Sequence, residues 1–255
     1  MPRILKIAVI SGLVAGLLVG GFHNLFTVPV MERAILLEEE RSAAAAPIGA
    51  APEEGGTPVS LGVQRIGMAA GTTIYGLILG LVFAGGFTLL RRIVPSWQPL
   101  ALAAVVGALG FWALSMFPFI KFPLNPPGVG DPETLLSRQL FQTLFMVLSA
   151  VGILGVLWGF HRVNHIGSGS LSNSQLRVLI VLAYGVFAAV IFFVIPGNPD
   201  PVPVPIDLLE LFRTLTMTGQ FLQWALLAAG VTLILGWYEK KDRAASGNPP
   251  RPAAV

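Results

Sequence analysis

Six stretches of this chain, 4–26, 66–90, 100–118, 140–160, 176–195 and 217–237, are apolar over about the length that a membrane-crossing helix needs. A hydrocarbon core of roughly 30 Å takes about 20 residues at the helical rise. Charged residues make up only 11% of the sequence against 54% apolar. Soluble domains carry about a quarter charged residues, so much of this exterior must face lipid. The predicted fold class is all-α: a polytopic transmembrane bundle of about six helices. Residues 1–243 form the membrane domain and 244–255 a disordered cytoplasmic tail. Arg3 and Lys6 before an apolar run resemble a signal peptide, but the run continues to Phe26 without an A-x-A site. It is read as a retained helix.

Lys and Arg set the orientation. Arg3, Lys6, Arg91, Arg92, Arg162, Arg177, Lys240, Lys241, Arg243 and Arg251 flank one side, where the only carboxylates are Glu239 and Asp242. The other side holds Arg33, Arg41, Arg65, Lys121, Arg138 and Arg213 together with all the remaining carboxylates. The positive-inside rule then places both termini in the cytoplasm, with the chain a multi-pass protein of the cell (inner) membrane.

The outer loops differ in character. In the first, Val30, Ala34 and Leu37 recur at helical spacing and predict a short amphipathic helix beyond span 1. Residues 43–58 are rich in Ala, Pro and Gly and read as a flexible tether. The other two loops match each other at an offset of 73 residues. Pro123, Asn125 and Pro126 fall on Pro196, Asn198 and Pro199, and Leu135-Leu136 falls on Leu208-Leu209. Shared proline content explains part of this; a duplication would make spans 3–4 and 5–6 a parallel internal repeat.

Cysteine is absent, so any metal must be held by oxygen or imidazole nitrogen. His23, near the outer end of span 1, is costly in an apolar helix unless partnered. It is either a ligand or a histidine satisfied by a backbone carbonyl. With it, Glu32, Glu38, Glu39, Asp131 and Glu133 complete a candidate metal-capture set. Glu38 to Glu40 are consecutive and cannot face one point, so they read as an acidic surface that concentrates cations.

Two polar rows line helix faces. Arg138, Gln142 and Ser149 lie on span 4; Arg213, Thr216, Gln220 and Gln223 lie on span 6. Together with Asn125 and Asn198 they form a candidate translocation seam, or alternatively ordinary interhelical hydrogen bonding. The two arginines read as structural clamps neutralised by Asp207, Glu210 or Glu133. On the cytoplasmic side, His161 and His165 are four residues apart and form a candidate release pair. Gly12, Gly16 and Gly20, with Gly67/Gly71 and Gly76/Gly80, predict close helix packing.

Several of these segments resemble one family in chain order. They are Gly12-Leu-Val-Ala-Gly16, Phe22-His23, the run from Glu32 to Glu39, Lys121 to Thr134 with Arg138, and Phe212-Arg213 with Gln220 and Trp224. They are similar to the CbtA family of predicted cobalt transporter subunits. The resemblance implies cobalt uptake linked to cobalamin synthesis, with cobalt(II) as transported substrate and no bound cofactor. It also implies a small single-pass, histidine-rich partner, CbtB. The family is usually described with five spans, against six counted here, and often has Glu where Val28 precedes Pro29.

No P-loop, His-Glu-x-x-His or Gly-x-Ser-x-Gly motif occurs, and an enzyme is not expected. A divalent cation entering down 100 mV gains about 4.6 kcal/mol. The functional expectation is therefore a permease subunit for a transition-metal cation. A scaffold that binds a partner through its outer loops is the alternative.

Overall fold

The computed structural model describes residues 2–45, 60–127, 129–165, 171–198 and 200–246. Among these there is no strand, and six helical units are long and apolar enough to cross a membrane. The tether at 46–58 and the tail at 247–255 lie outside the described residues.

The first unit is α1 (Pro2–Phe22), a π-helical turn (His23–Thr27) and α2 (Val28–Ala45), continuous with one another. Its 39 residues from Arg3 to Arg41 extend about 58 Å at 1.5 Å per residue, well beyond a bilayer core. The second is α3 (Leu61–Ile93). The third is α4 (Pro99–Phe111), a second π turn (Trp112–Met116) and α5 (Phe117–Lys121). After a 3-10 turn at Pro132–Thr134 come α6 (Leu135–Val163), α7 (Asn173–Val194) and α8 (Ile206–Ser246). Residues 43–45 continue α2 and residues 244–246 continue α8. The stretches expected to be tether and tail are helical to that extent.

Both π turns have the same cause. A proline inside a helix donates no N–H, and its ring crowds the carbonyl four residues back. Pro29 and Pro118 each stand two residues beyond the end of a π turn. The residue just before each proline makes the wide bond: Val28 N–H donates to the His23 carbonyl and Phe117 N–H to the Trp112 carbonyl. Local widening absorbs the proline without ending the helix.

Spans α1, α3, α4 and α8 form the body of the bundle, with α1 packed on α3 and α8, and α4 on α8 and α3. Bare backbone makes the α1–α3 contact. A Cβ added at Gly16 would stand 2.8 Å from the Thr73 Cα, and one at Gly80 would meet the Ala8 carbonyl oxygen at 2.5 Å. Gly67 and Gly71, expected to pack likewise, face open space.

Below this seam, toward the termini, Ile7, Ala8, Leu79, Phe83, Leu102, Val106, Leu227 and Val231 close into a dry core. Arg3 and Asp242 pair across the same end at 2.8 Å. At the opposite end Val30 and Ala34 of α2 are buried against Leu208 and Phe212, with Leu37 alongside. This is the amphipathic face expected there.

Helix α7 begins with a capping box, Gln175 N–H donating to Ser172 Oγ and Ser172 N–H to Gln175 Oε1. It packs on α6 and has no comparable contact with α8. Span 3 does touch span 4, through α5 and the second π turn. The matching proline loops therefore do not carry matching helix packing, and the two hairpins are not equivalent units.

Candidate functional site

The first π turn aims His23 inward. The ring is 8% exposed, and its Nδ1 shares a 2.8 Å hydrogen bond with Thr27 Oγ1, one turn on. Its Nε2 edge lies against Gly219 of α8, where any Cβ would collide with the imidazole. The missing side chain at Gly219 is what lets an imidazole fit between α1 and α8. His23 is thus satisfied by a hydroxyl rather than by the backbone carbonyl considered above.

The second π turn places Ser115 at the middle of a buried polar cluster. Gln220 Oε1 accepts from Ser115 Oγ at 3.0 Å and from Tyr75 OH at 3.3 Å, so α3, the π turn and α8 meet at one amide oxygen. Trp224 Nε1 donates to Ser115 Oγ at 3.1 Å. The indole has room because Gly110 carries no side chain. One turn from Gly219, Gln223 is 1% exposed, and neither its Oε1 nor its Nε2 has a partner. Ser149 on α6 is fully buried and also unpartnered.

This cluster borders a cavity of about 250 Å³ whose polar lining is Tyr75, Ser115, Gln142 and Gln220, with the thioethers of Met146 and Met217. Phe122 and Leu124 of the proline-rich loop line it too. Phe119 and Met217 also line a second hollow of about 680 Å³, which includes Glu210, Arg213, Thr214 and Thr218. The polar half of the bundle is therefore the proline-loop half, and the half toward the termini is packed by apolar side chains around an apolar hollow of about 150 Å³.

The proline loops are fastened crosswise. Arg213, on the helix after the third outer loop, reaches back to the second: its Nη2 donates to Asn125 Oδ1 at 2.7 Å and its Nε to the Leu124 carbonyl at 3.2 Å. Arg138, on the helix after the second loop, reaches forward to the third and meets Asp200 Oδ2 at 3.1 Å. The same oxygen accepts from Thr134 Oγ1 at 2.7 Å and from Asp131 N–H at 3.1 Å. Gly130, at φ 105°, leaves space for the Arg138 guanidinium, which donates to the Asp131 carbonyl. Arg138 pairs with Asp200 and Arg213 with Asn125, not with Asp207, Glu210 or Glu133.

The other predicted residues are dispersed. Glu32 lies 3.5 Å from Arg65. Asp131 Oδ1 accepts from Glu133 N–H, and Asn198 Oδ1 from Asp200 N–H, each closing a local turn. Thr216 donates to the Phe212 carbonyl of its own helix. Glu38 and Glu39 lie on α2 beyond Glu32. The His161 and His165 rings stand edge to face, 4.6 Å between centroids, at the end of α6. Among the described residues no three His, Asp or Glu side chains come together as a metal-holding group.

Of the predicted seam, Gln142 and Gln220 line the cavity. Tyr75, Ser115, Met146, Met217 and Gly219 were not foreseen. Pro118 inside an apolar span was the available signal for Ser115.

Such an arrangement defines a polytopic membrane protein with a partly polar hollow among its helices. Residues 1–236 match the CbtA family, described as a probable cobalt transporter subunit, and the chain belongs to that family. No curated protein and no solved structure matches the chain.

Proposed function

We propose that the chain is the permease subunit that carries a transition-metal cation, cobalt(II), through a cell (inner) membrane toward the cytoplasm. In this reading both termini are cytoplasmic, as the Lys and Arg distribution requires, and the proline loops face outward. The observation that carries the reading is the cluster of Tyr75, Ser115 and Gln220 beside a cavity of about 250 Å³. Buried polar groups in a membrane bundle are expensive and concentrate along substrate paths. Glu210 supplies a carboxylate at the larger hollow. Asp131, Glu133, Glu38 and Glu39 supply negative field at the outer loops, concentrating cations before they enter.

His23 does not line the cavity. Its bond to Thr27 and its seat against Gly219 make it a group that sets the α1–α8 contact, with Nε2 turned toward α8. Release toward the cytoplasm requires the apolar core around Phe83, Leu102 and Leu227 to part. The π turns at His23–Thr27 and Trp112–Met116 are the places where the spans already depart from α geometry and can bend. A subunit needs a companion, and a small histidine-rich single-span protein fits a role in presenting metal, within a pathway that feeds cobalamin synthesis.

The test is cobalt uptake into proteoliposomes containing the purified chain, with and without that companion, under an inside-negative potential and with nickel as competitor. Accumulation of cobalt supports the reading. Vesicles that stay empty in every combination contradict it.

A further inference from the structure

The cavity raises a problem of charge. Its polar lining is hydroxyl, amide and thioether, and among the described residues no Asp, Glu or His lines it. Stripping a divalent ion of water in such a low-dielectric site without a counter-charge costs more than neutral dipoles recover. Glu210 lines the larger hollow, which shares Phe119 and Met217 with the cavity. The cavity is, however, roomy. Six inner-sphere waters occupy about 180 Å³ at roughly 30 Å³ each, and the space available is about 250 Å³.

The acceptors also suit waters better than a bare metal. Gln220 Oε1 already accepts from Tyr75 OH and Ser115 Oγ, so its lone pairs are committed. A cation-bound water is a strong donor. Arriving there, it donates to a lone pair of Tyr75 OH or Ser115 Oγ, whose own protons stay on Gln220 Oε1. Gln142 adds another amide that has no bond of its own to give up.

Resting on the permease reading above, we infer that this cavity binds its divalent cation with the hydration shell intact, through hydrogen bonds to the metal's waters and not through protein–metal bonds. Discrimination at this station is then by size and charge of the aquo ion. The soft Met146 and Met217 sulfurs pack against the shell without ligating.

The experiment uses the purified full chain in detergent: binding of cobalt(II) chloride is measured by equilibrium dialysis, and the visible absorption of the bound metal is compared with that of free cobalt(II). Hexaamminecobalt(III), which cannot exchange its ligands and mimics a hydrated cation in size, serves as competitor. The expected result is saturable binding with the weak absorption of the hexaaquo ion unchanged. In addition, excess hexaamminecobalt(III) weakens apparent cobalt(II) affinity by about tenfold or more. Gln142→Ala and Gln220→Leu, each checked for an unaltered elution profile, weaken both ions together.

Binding accompanied by a shifted or intensified absorption, or indifferent to hexaamminecobalt(III), overturns the hydrated-ion inference and leaves the permease reading standing. Failure of the wild-type chain to bind cobalt(II) at all overturns both.

Discussion

Arg213 Nη2 donates to Asn125 Oδ1 across 2.7 Å, joining α8 to a loop that lies 88 positions earlier in the chain. With the Arg138–Asp200 pair, it makes each proline loop the anchor of the helix that follows the other loop. The loops are thereby one mechanical unit at the mouth of the polar half.

Removing one strand of this fastening should loosen the mouth and leave the rest of the bundle standing. The Asp200 side chain is 5% exposed and that of Arg138 19%. Asp200→Ala leaves a guanidinium without its carboxylate and removes the acceptor of Thr134, a loss of about 2–3 kcal/mol. A double-mutant cycle of Asp200→Ala with Arg138→Ala, read by thermal unfolding in detergent, should show coupling of at least about 1 kcal/mol. Additive effects would mean that the pair is incidental.

The contact between α1 and α3 sets a different expectation. Gly16→Val must drive a side chain into the backbone of Thr72 and Thr73, whereas Gly71→Val enters open space. Overpacking typically costs about 1–3 kcal/mol even where neighbours can move, and backbone cannot. Gly16→Val should abolish a monodisperse elution profile while Gly71→Val retains it. Equal behaviour of the two variants would contradict the packing described.

Pro118→Ala removes the reason for the second π turn. The helix can then close to ordinary α geometry, regaining part of the roughly 3 kcal/mol that an internal proline costs. Closure rotates Trp112–Met116 relative to the residues after it and moves Ser115 away from Gln220 and Trp224. The variant should melt no lower than the wild type yet transport cobalt several-fold more slowly. A variant that is both less stable and fully active would show that the turn has another origin.

These elements differ in how far they could be read beforehand. The six spans and the buried face of Val30 and Ala34 follow from hydropathy and helical spacing, which act locally. The packing of Gly16 against Thr73 was half legible. A small-residue stripe signals close approach, but Gly67 and Gly71 look the same and touch nothing. The cavity was less legible still. Ser115 is a lone polar residue in an apolar run and Tyr75 closely follows Thr72 and Thr73, and only tertiary contact brings them to Gln220. Of the carboxylates grouped with His23 in sequence, Glu32 turns to Arg65 and Asp131 to its own loop. Side-chain type indicates what a residue could ligate, while its bonds in the fold are decided by neighbours distant in the chain.

Orientation can be checked because the chain contains no cysteine. Single replacements then report sidedness against a silent background. In intact cells a membrane-impermeant maleimide should label Glu133→Cys in the second outer loop and leave Ser96→Cys, in the turn between α3 and α4, untouched until the cells are opened. The reverse pattern would place the proline loops in the cytoplasm and invert the proposed direction.

The central claim is that cations cross through the chamber beneath Gln220. Initial rates of cobalt uptake by proteoliposomes holding wild-type chain, Gln220→Leu, and the exposed control Gln139→Leu test it most directly. Loss of a paired, half-buried amide at the path should slow uptake by about tenfold or more, a barrier change of roughly 1.4 kcal/mol, with Gln139→Leu indistinguishable from wild type. Uptake by Gln220→Leu at the wild-type rate would contradict the account.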